Sequence, residues 1–121
     1  NAITLSTRDM QASTAFYQSL GLYVTWRSDS FVTLSSANIT DSHKVMHVNL
    51  NASSEYQPPP KGQWNKWGRF IVYVRDVDAV YDLAKRSGYK PEAPPADAPW
   101  GERYFHIVDP MGHELAVARP L

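Results

Sequence analysis

The sequence contains no cysteine, no long apolar run and no excess of charge of either sign. Without cysteine, the chain can form no disulfide, no thiolate nucleophile and no cysteine-ligated zinc site. Twelve basic residues balance twelve acidic ones, so the positive field that favours nucleic acid or an acidic membrane surface is missing. No stretch approaches the roughly 20 apolar residues of a membrane helix, and no signal-peptide pattern opens the chain. These absences favour a cytoplasmic protein whose partner is a small molecule.

Length and composition predict one domain. The 121 residues are 43% hydrophobic, which is enough to bury one core, and nothing in the composition marks a second independent domain. The sequence begins at Asn1 rather than at methionine, and what precedes this residue stays open.

The clearest local pattern is a hairpin near the C-terminus. Asp109-Pro110-Met111-Gly112 has the composition of a tight turn, because proline presets φ at the second turn position and glycine accepts a positive φ. The residues on either side are apolar or aromatic. Antiparallel strands are therefore predicted over residues 104–108 and 114–118.

The chain also contains an internal repeat. In the first half, a strand around Ile3 and Leu5 leads to a helix over residues 10–20, with Asp9 as its N-cap and Gly21 as its stop. Strands are predicted over residues 23–27, 31–35 and 44–50.

The second half repeats this order. A strand is predicted over residues 70–74, and a helix capped by Asp76 over residues 77–87. Arg8-Asp9-Met10 corresponds to Arg75-Asp76-Val77, an offset of 75 − 8 = 67, and the same offset carries Gly21 onto Gly88 and Leu50 onto Val117.

Two stretches are predicted to lack regular structure. Residues 51–67 contain three consecutive prolines and two tryptophans, and residues 90–99 contain four prolines. We interpret the first stretch as a semi-rigid linker between module one, residues 1–50, and module two, residues 68–121. The second stretch is predicted to loop out before the C-terminal hairpin.

A combination of motifs resembles a known family. The motifs are Trp100-Gly-x-Arg, an aromatic-rich strand, Asp-Pro-x-Gly and a short apolar strand that ends at Arg119-Pro120. Together they resemble the glyoxalase, bleomycin-resistance and extradiol dioxygenase superfamily, also called vicinal oxygen chelate proteins. The resemblance implies an α+β fold in which two βαβββ modules bend their sheets into a curved, barrel-like cup that holds the ligand. It covers nearly the whole chain.

Enzymes of this superfamily usually hold one divalent metal, and the resemblance places the ligand positions at Ala2, Asn49, Arg69 and Ala116. Alanine has no donor atom and arginine stays protonated, so only Asn49 could contribute, and only weakly. A register slip of two residues on the last strands gives His47 and Glu114, which are two ligands rather than four. The histidines, at positions 43, 47, 106 and 113, show no metal-ligand spacing. The sequence predicts no cofactor, with a divalent metal as the alternative.

Strand alternation predicts which side chains face the ligand. The predicted ligand-binding residues are Arg69, Tyr73, Asn49, His47, Tyr104, His106, Glu114 and Trp100. Arg69 could bind a ligand anion, or it could form an internal ion pair with Glu114 or Glu102. His106 and His47 are candidate general bases or satisfied buried histidines. Trp64 and Trp67 could line a site or an interface.

The leading prediction is a metal-independent protein that binds an anionic or planar aromatic small molecule. The alternative is an enzyme: a metal-dependent lyase, isomerase or dioxygenase, or a metal-free catalyst that uses His106 or His47. A third possibility is a dimeric interaction module without a small ligand. The expected assembly is a homodimer, and the sequence leaves open whether the modules pair within one chain or swap between two.

Overall fold

Two units with the same order of elements make up the chain. The computed structural model describes residues 1–36 and 45–121. The contacts divide the chain into Asn1–Pro58 and Pro59–Leu121. Two features considered in the sequence, His43 and the first residue of the strand predicted over 44–50, lie outside the described residues.

The first unit is one helix on a four-stranded sheet. Its elements are β1 (Ala2–Thr7), α1 (Met10–Ser19), β2 (Tyr23–Arg27), β3 (Phe31–Ser35) and β4 (His47–Ala52). The sheet order is β1-β4-β3-β2, with β1 and β4 parallel and the other neighbours antiparallel. The helix packs on β3 and β4, whose buried residues Leu34, Val48 and Leu50 alternate with the polar residues Thr33 and Asn49.

The second unit has the same plan. Its elements are β5 (Arg69–Tyr73), α2 (Val77–Arg86), β6 (Ala96–Ala98), β7 (Glu102–Val108) and β8 (Glu114–Pro120), in the order β5-β8-β7-β6. The predicted α+β class and its two repeated modules are confirmed. Within the described part of the chain, the eight strands form two four-stranded sheets, one in each unit. No helix there is long and apolar enough to cross a membrane.

The repeat holds at the level of hydrogen bonds. Ala2 is the register partner of His47 on the parallel strands of the first unit, and Arg69 is the partner of Glu114 in the second. Each pair is displaced by 67 residues, since 69 − 2 = 67 and 114 − 47 = 67. Asp9 and Asp76 cap their helices through the same bond, in which the backbone N–H three residues later donates at 3.0 Å. Two residues after each helix lies a glycine with φ of +92° or +93°, which a residue with a side chain adopts at a cost.

The residue offset between the two units changes between the helix and the strand that pairs with the last strand, which is β3 in the first unit and β7 in the second. Val32 pairs with Leu50, and Phe105 pairs with Val117; here the offset is 105 − 32 = 73, six more than 67. The chain between α2 and β7 is therefore six residues longer than the chain between α1 and β3. The connection from β7 to β8 is shorter by the same number.

This longer segment corrects one prediction. The sequence predicts a loop over residues 90–99, but they contain β6, which pairs with β7 from Ala96↔Tyr104 to Ala98↔Glu102. Pro95 and Pro99 flank this three-residue strand. Proline cannot donate a backbone hydrogen bond, yet it is tolerated next to a strand at the edge of a sheet.

The ends of β4 differ from those of the strand predicted over residues 44–50, because its pairing with β1 sets them. β4 begins at His47, which is the register partner of Ala2, the first residue of its parallel partner β1. It continues to Ala52, the register partner of Thr7. Residues 53–68 contain no helix or strand.

Candidate functional site

Four side chains from separate elements of the second unit meet on one face of its sheet. We call Arg69 on β5, Glu92 in the α2–β6 segment, His106 on β7 and Glu114 on β8 the acid–arginine cluster. Phe105 and Ile107 are buried and Phe105 contacts Tyr81 of α2, so the alternation of β7 turns His106 to the opposite face. We call this the open face. The backbone N–H of Glu92 donates to the His106 carbonyl at 2.9 Å, which holds Glu92 beside the strand.

The centre of the cluster is an ion pair. Both Nε and Nη2 of Arg69 contact Oε1 of Glu114. The side chain of Glu114 is 1% exposed, whereas that of Arg69 is 42% exposed. The Trp64 ring lies 5.2 Å from the guanidinium carbon of Arg69, within the range of a cation–π contact. Of the two interpretations of Arg69, the internal ion pair with Glu114 is therefore the one that this geometry shows.

The pKa values of the other two members, Glu92 and His106, are shifted in the directions that favour their neutral forms. Burial raises the pKa of Glu92, and the hydrogen bond to Glu114 and its negative charge raise it further, while Arg69 acts in the opposite direction. Burial and the nearby Arg69 charge lower the pKa of His106 against the opposing effect of Glu114. His106 Nδ1 lies 3.9 Å from Glu92 Oε2, and both pKa shifts disfavour the charged forms that an ion pair between them would need.

We predict that Glu92→Gln stabilises the protein at neutral pH. A glutamate whose pKa is higher in the folded state binds its proton more tightly there, so its cost to stability appears above the ordinary value of about 4.3 and grows as the pH rises through the folded pKa. Glutamine can donate the same hydrogen bond to Glu114 without a charge. The melting temperature of the variant should exceed that of the parent at pH 7 and converge with it below about pH 4.

The control for this variant is Glu55→Gln, which changes an exposed glutamate in the first unit. It should leave the melting temperature unchanged at both pH values. A Glu92→Gln protein that melts below its parent at pH 7 would contradict the assignment of Glu92 to the cluster.

An aromatic strip continues from the cluster along β7. The rings of Trp100 and Tyr104 are 5.6 Å apart, and those of Tyr104 and His106 are 5.1 Å apart. Trp100 is 67% exposed, and Ile71 and Tyr73 of β5 are exposed as well. We define the aromatic strip as Trp100, Tyr104 and His106.

Glu102 fixes the outer end of the strip. Trp100 Nε1 donates to its Oε1 at 2.9 Å, and the Tyr73 hydroxyl donates to its Oε2 at 2.6 Å. The hydrogen bond to Glu102 raises the pKa of Tyr73, so this phenol stays protonated as a donor. Glu102 therefore orients two exposed rings, and it is not the partner of Arg69.

The two candidates of the first unit belong to a separate polar network. His47 Nδ1 lies 2.7 Å from Ser35 Oγ. Asn49 accepts a hydrogen bond from Thr33 at 2.8 Å and donates one to Thr4 at 3.3 Å. Because both ends of the Asn49 amide are already bonded, this side chain has little capacity left for a ligand.

The residues at the positions implied for a divalent metal do not fit one. Ala2 and Ala116 offer no donor atom, Arg69 carries a positive charge, and the Asn49 oxygen already accepts a hydrogen bond. A different group, Glu92, His106 and Glu114, places three possible ligand atoms within 4.8 Å of one another. Its central carboxylate, however, is already neutralised by Arg69.

Comparison with known proteins identifies the family of this chain. The family model of the Glyoxalase/Bleomycin resistance protein/Dioxygenase superfamily matches residues 1–117. The chain belongs to this superfamily. No curated protein sequence matches it.

Several solved structures share the fold. The bleomycin resistance determinant encoded on the transposon Tn5 has a TM-score of 0.76 at 20% identity, with 99% of this chain and 96% of that chain covered. TioX from Micromonospora sp. ML1 has a TM-score of 0.74 at 21% identity, covering 99% and 97%. A bleomycin-binding protein complexed with bleomycin has a TM-score of 0.72 at 21% identity, covering 98% and 95%. At these sequence identities, the similarity to the three structures shows a shared fold.

Within this superfamily fold, the predicted site residues fall into two groups. The second unit brings together Arg69, His106 and Glu114, and it places Tyr73, Tyr104 and Trp100 along the same face. His47 and Asn49 lie in the first unit. Trp64 and Trp67 belong to the second unit, where they contact Arg69 and His113 respectively.

Sequence reasoning missed Glu92. It lies in the six-residue extension between α2 and β7, which has no counterpart in the first module, so the repeat could not point to it. One signal was available: Glu92 is the only acidic residue among the prolines and alanines of residues 91–96.

Proposed function

We propose that the chain binds a planar aromatic small molecule on the open face of its second sheet, without a metal. The observation that carries this proposal is the aromatic strip, in which Trp100 is exposed while Glu102 holds its indole in place. Exposed aromatic rings that are held in one orientation offer a large apolar contact at little cost in conformational entropy. That one structural relative was solved in complex with bleomycin supports a binding role for this fold.

The charged side chains of the open face indicate which ligand charge it favours. The guanidinium of Arg69 is bonded to Glu114, which weakens the prediction of an anionic ligand. Besides Glu92, whose pKa is raised, the carboxylates of Glu102 and Glu114 accompany this single arginine, so two carboxylates face one guanidinium. We therefore favour a neutral or cationic planar compound over an anionic one.

We predict that Trp100→Ala weakens such binding about tenfold, which corresponds to about 1.4 kcal/mol, within the range of a lost aromatic contact. The measurement is a fluorescence titration with three planar probes of different charge: 9-aminoacridine, 1-naphthol and 1-naphthoate. Bleomycin serves as a fourth probe. The expected order of affinity is aminoacridine, naphthol, naphthoate.

The matched control is Trp26→Phe, which changes an equally prominent exposed tryptophan on β2 of the first unit. It should leave all four affinities unchanged. If none of the probes binds, or if Trp100→Ala binds them like the parent, the open face is not the site.

A second candidate function is catalysis, and the specific observation in its favour is the group formed by Glu92, His106 and Glu114. With a bound divalent metal, this group could serve a lyase, isomerase or dioxygenase. Without one, Glu92 and His106 have pKa values moved towards each other, which suits proton transfer.

We predict that Ni²⁺, Zn²⁺ and Mn²⁺ leave the melting temperature unchanged, because Arg69 competes with any cation for Glu114. The measurement is a thermal melt of chelator-treated protein with and without each metal, since a ligand that binds only the folded state raises its stability. A rise of several degrees that disappears in His106→Ala and in Glu92→Gln would replace the metal-free proposal with the enzyme. The homodimer and the cytoplasmic location stay predictions.

A further inference from the structure

The open face carries one carboxylate whose charge the protein itself does not neutralise. Besides Glu92, whose pKa is raised, this face has two carboxylates. That of Glu114 is paired with Arg69, whereas Glu102 forms no ion pair within residues 1–36 and 45–121. Glu102 is half-buried, so water screens its charge less than that of a fully exposed carboxylate. This side chain therefore attracts a cation.

The arginines nearest to Glu102 in the sheet point away from it. Arg103 follows it in β7, and the register partner of Arg103 in β8 is Arg119. The alternation of the two strands turns both side chains to the helix side of the sheet. There the hydrogen bonds of Arg103 and, to a smaller extent, the charge of Arg119 lower the pKa of Asp78. Neither guanidinium is placed to neutralise Glu102.

Two aromatic side chains hold the Glu102 carboxylate in one orientation. The Trp100 indole N–H donates to its Oε1 at 2.9 Å, and the Tyr73 hydroxyl donates to its Oε2 at 2.6 Å. Each carboxylate oxygen has two acceptor positions, and the described residues occupy one on each. Both donors are neutral, so they fix the carboxylate and leave its charge in place.

The rings beside this carboxylate favour an aromatic cation. Trp100 and Tyr73 are both exposed, and the Tyr104 ring lies 5.6 Å from that of Trp100. The face of an aromatic ring attracts a cation through its quadrupole, and it also offers apolar contact to a planar ligand. A planar cation uses the rings and the carboxylate together, whereas an uncharged ring uses the rings alone and an anion is repelled by Glu102.

We infer that Glu102 selects the ligand of the open face, and that this ligand is a planar aromatic compound with a protonated nitrogen. The nitrogen donates a hydrogen bond to the Glu102 carboxylate while the ring lies against Trp100. This inference rests on the proposed function and narrows it from a neutral or cationic compound to a cationic one.

The test is a fluorescence titration with 9-aminoacridine, which is a cation at pH 7, and with acridine, which has nearly the same shape and is neutral at that pH. The parent protein should bind 9-aminoacridine about tenfold more tightly, as expected for one hydrogen bond to a charged group. This preference should shrink as the salt concentration rises from about 0.01 M to about 1 M, because the screening length falls from about 30 Å to about 3 Å. The affinity for acridine should not change with salt.

Glu102→Gln separates the charge from the orientation of the rings. The amide oxygen of glutamine can accept the Trp100 N–H, and its NH₂ group can donate to the Tyr73 hydroxyl oxygen, so both rings keep their places. This variant should lose most of the preference for 9-aminoacridine, keep the parent's affinity for acridine and melt at the parent's temperature. The matched control is Glu55→Gln, which changes an exposed glutamate of the first unit and should retain the full preference.

The inference is overturned if Glu102→Gln keeps the parent's preference for 9-aminoacridine. A parent protein that binds acridine and 9-aminoacridine equally refutes the inference alone and leaves the proposed function standing. A parent protein that binds neither probe refutes both. Should Glu102→Gln fail to fold, the parent decides, because a preference that does not shrink at about 1 M salt contradicts a contact with a charge.

Discussion

Arg69→Ala should lower the free energy of unfolding by about 3 kcal/mol, because it leaves a buried carboxylate without its counter-ion. Glu114 is 1% exposed and receives two N–H groups from Arg69. The other acidic member of the cluster, Glu92, carries charge of the same sign when ionised. We take the lower end of the range known for broken buried pairs because Arg69 itself is 42% exposed. Urea denaturation at pH 7 measures the loss.

Two further variants test the physical reason. Removing both partners, in Arg69→Ala with Glu114→Ala, should restore part of the loss, since no buried charge then remains. Arg103→Ala removes an arginine with two ion pairs, to Asp78 and Asp97, but both of these carboxylates are exposed. Its effect should be far smaller. If Arg69→Ala is as mild as Arg103→Ala, the cluster contributes little to stability and Arg69 becomes available again as a ligand-binding residue.

Gly112→Ala should destabilise the protein by about 3 kcal/mol, the sum of a conformational cost and a steric one. The glycine has φ of +86°, and a Cβ atom there would lie 2.4 Å from two ring carbons of Pro59. A left-handed conformation costs a residue with a side chain about 1–2 kcal/mol, and overpacking adds about 1–3 kcal/mol. The rigid ring of Pro59 can relieve the clash only if the chain around it moves.

Gly101→Ala separates these two contributions. Its φ is +94°, but no atom outside its chain neighbours lies within 4 Å of the place that a Cβ would occupy. Only the conformational cost should remain, about 1–2 kcal/mol. Equal losses for the two variants, measured by urea denaturation, would mean that Pro59 yields without cost.

The sequence was sufficient to predict the architecture because the two modules carry the same signals at the same spacing. Asp9 and Asp76 mark the helix starts, Gly21 and Gly88 mark the stops, and the offset of 67 reproduces the pairing of the parallel strands. Each signal has a local physical cause, such as an N-cap bond or a positive φ. Such causes act within a few residues and can be recognised in the chain itself.

The site was less accessible to the same reasoning. Strand alternation placed Arg69, His106 and Glu114 on one face, but it could not reveal that Arg69 bonds to Glu114 rather than to a ligand, because this depends on register across two strands. Glu92 and β6 lie where the repeat changes phase. There the offset from one module carries no information about the other, and only tertiary contacts determine the structure.

The segment before β5 belongs structurally to the last hairpin of its unit. The Asn65 N–H donates to the Gly112 carbonyl at 2.9 Å, and its side-chain amide lies 2.7 Å from His113 Nδ1. Trp67 Nε1 donates to the same ring nitrogen at 3.4 Å, so the proton of this histidine resides on Nε2. For separate production or circular permutation of the second unit, the cut therefore belongs before Pro59. A piece starting at the first strand residue would expose the turn around Gly112 and take away the residues that hold His113 in a single tautomer.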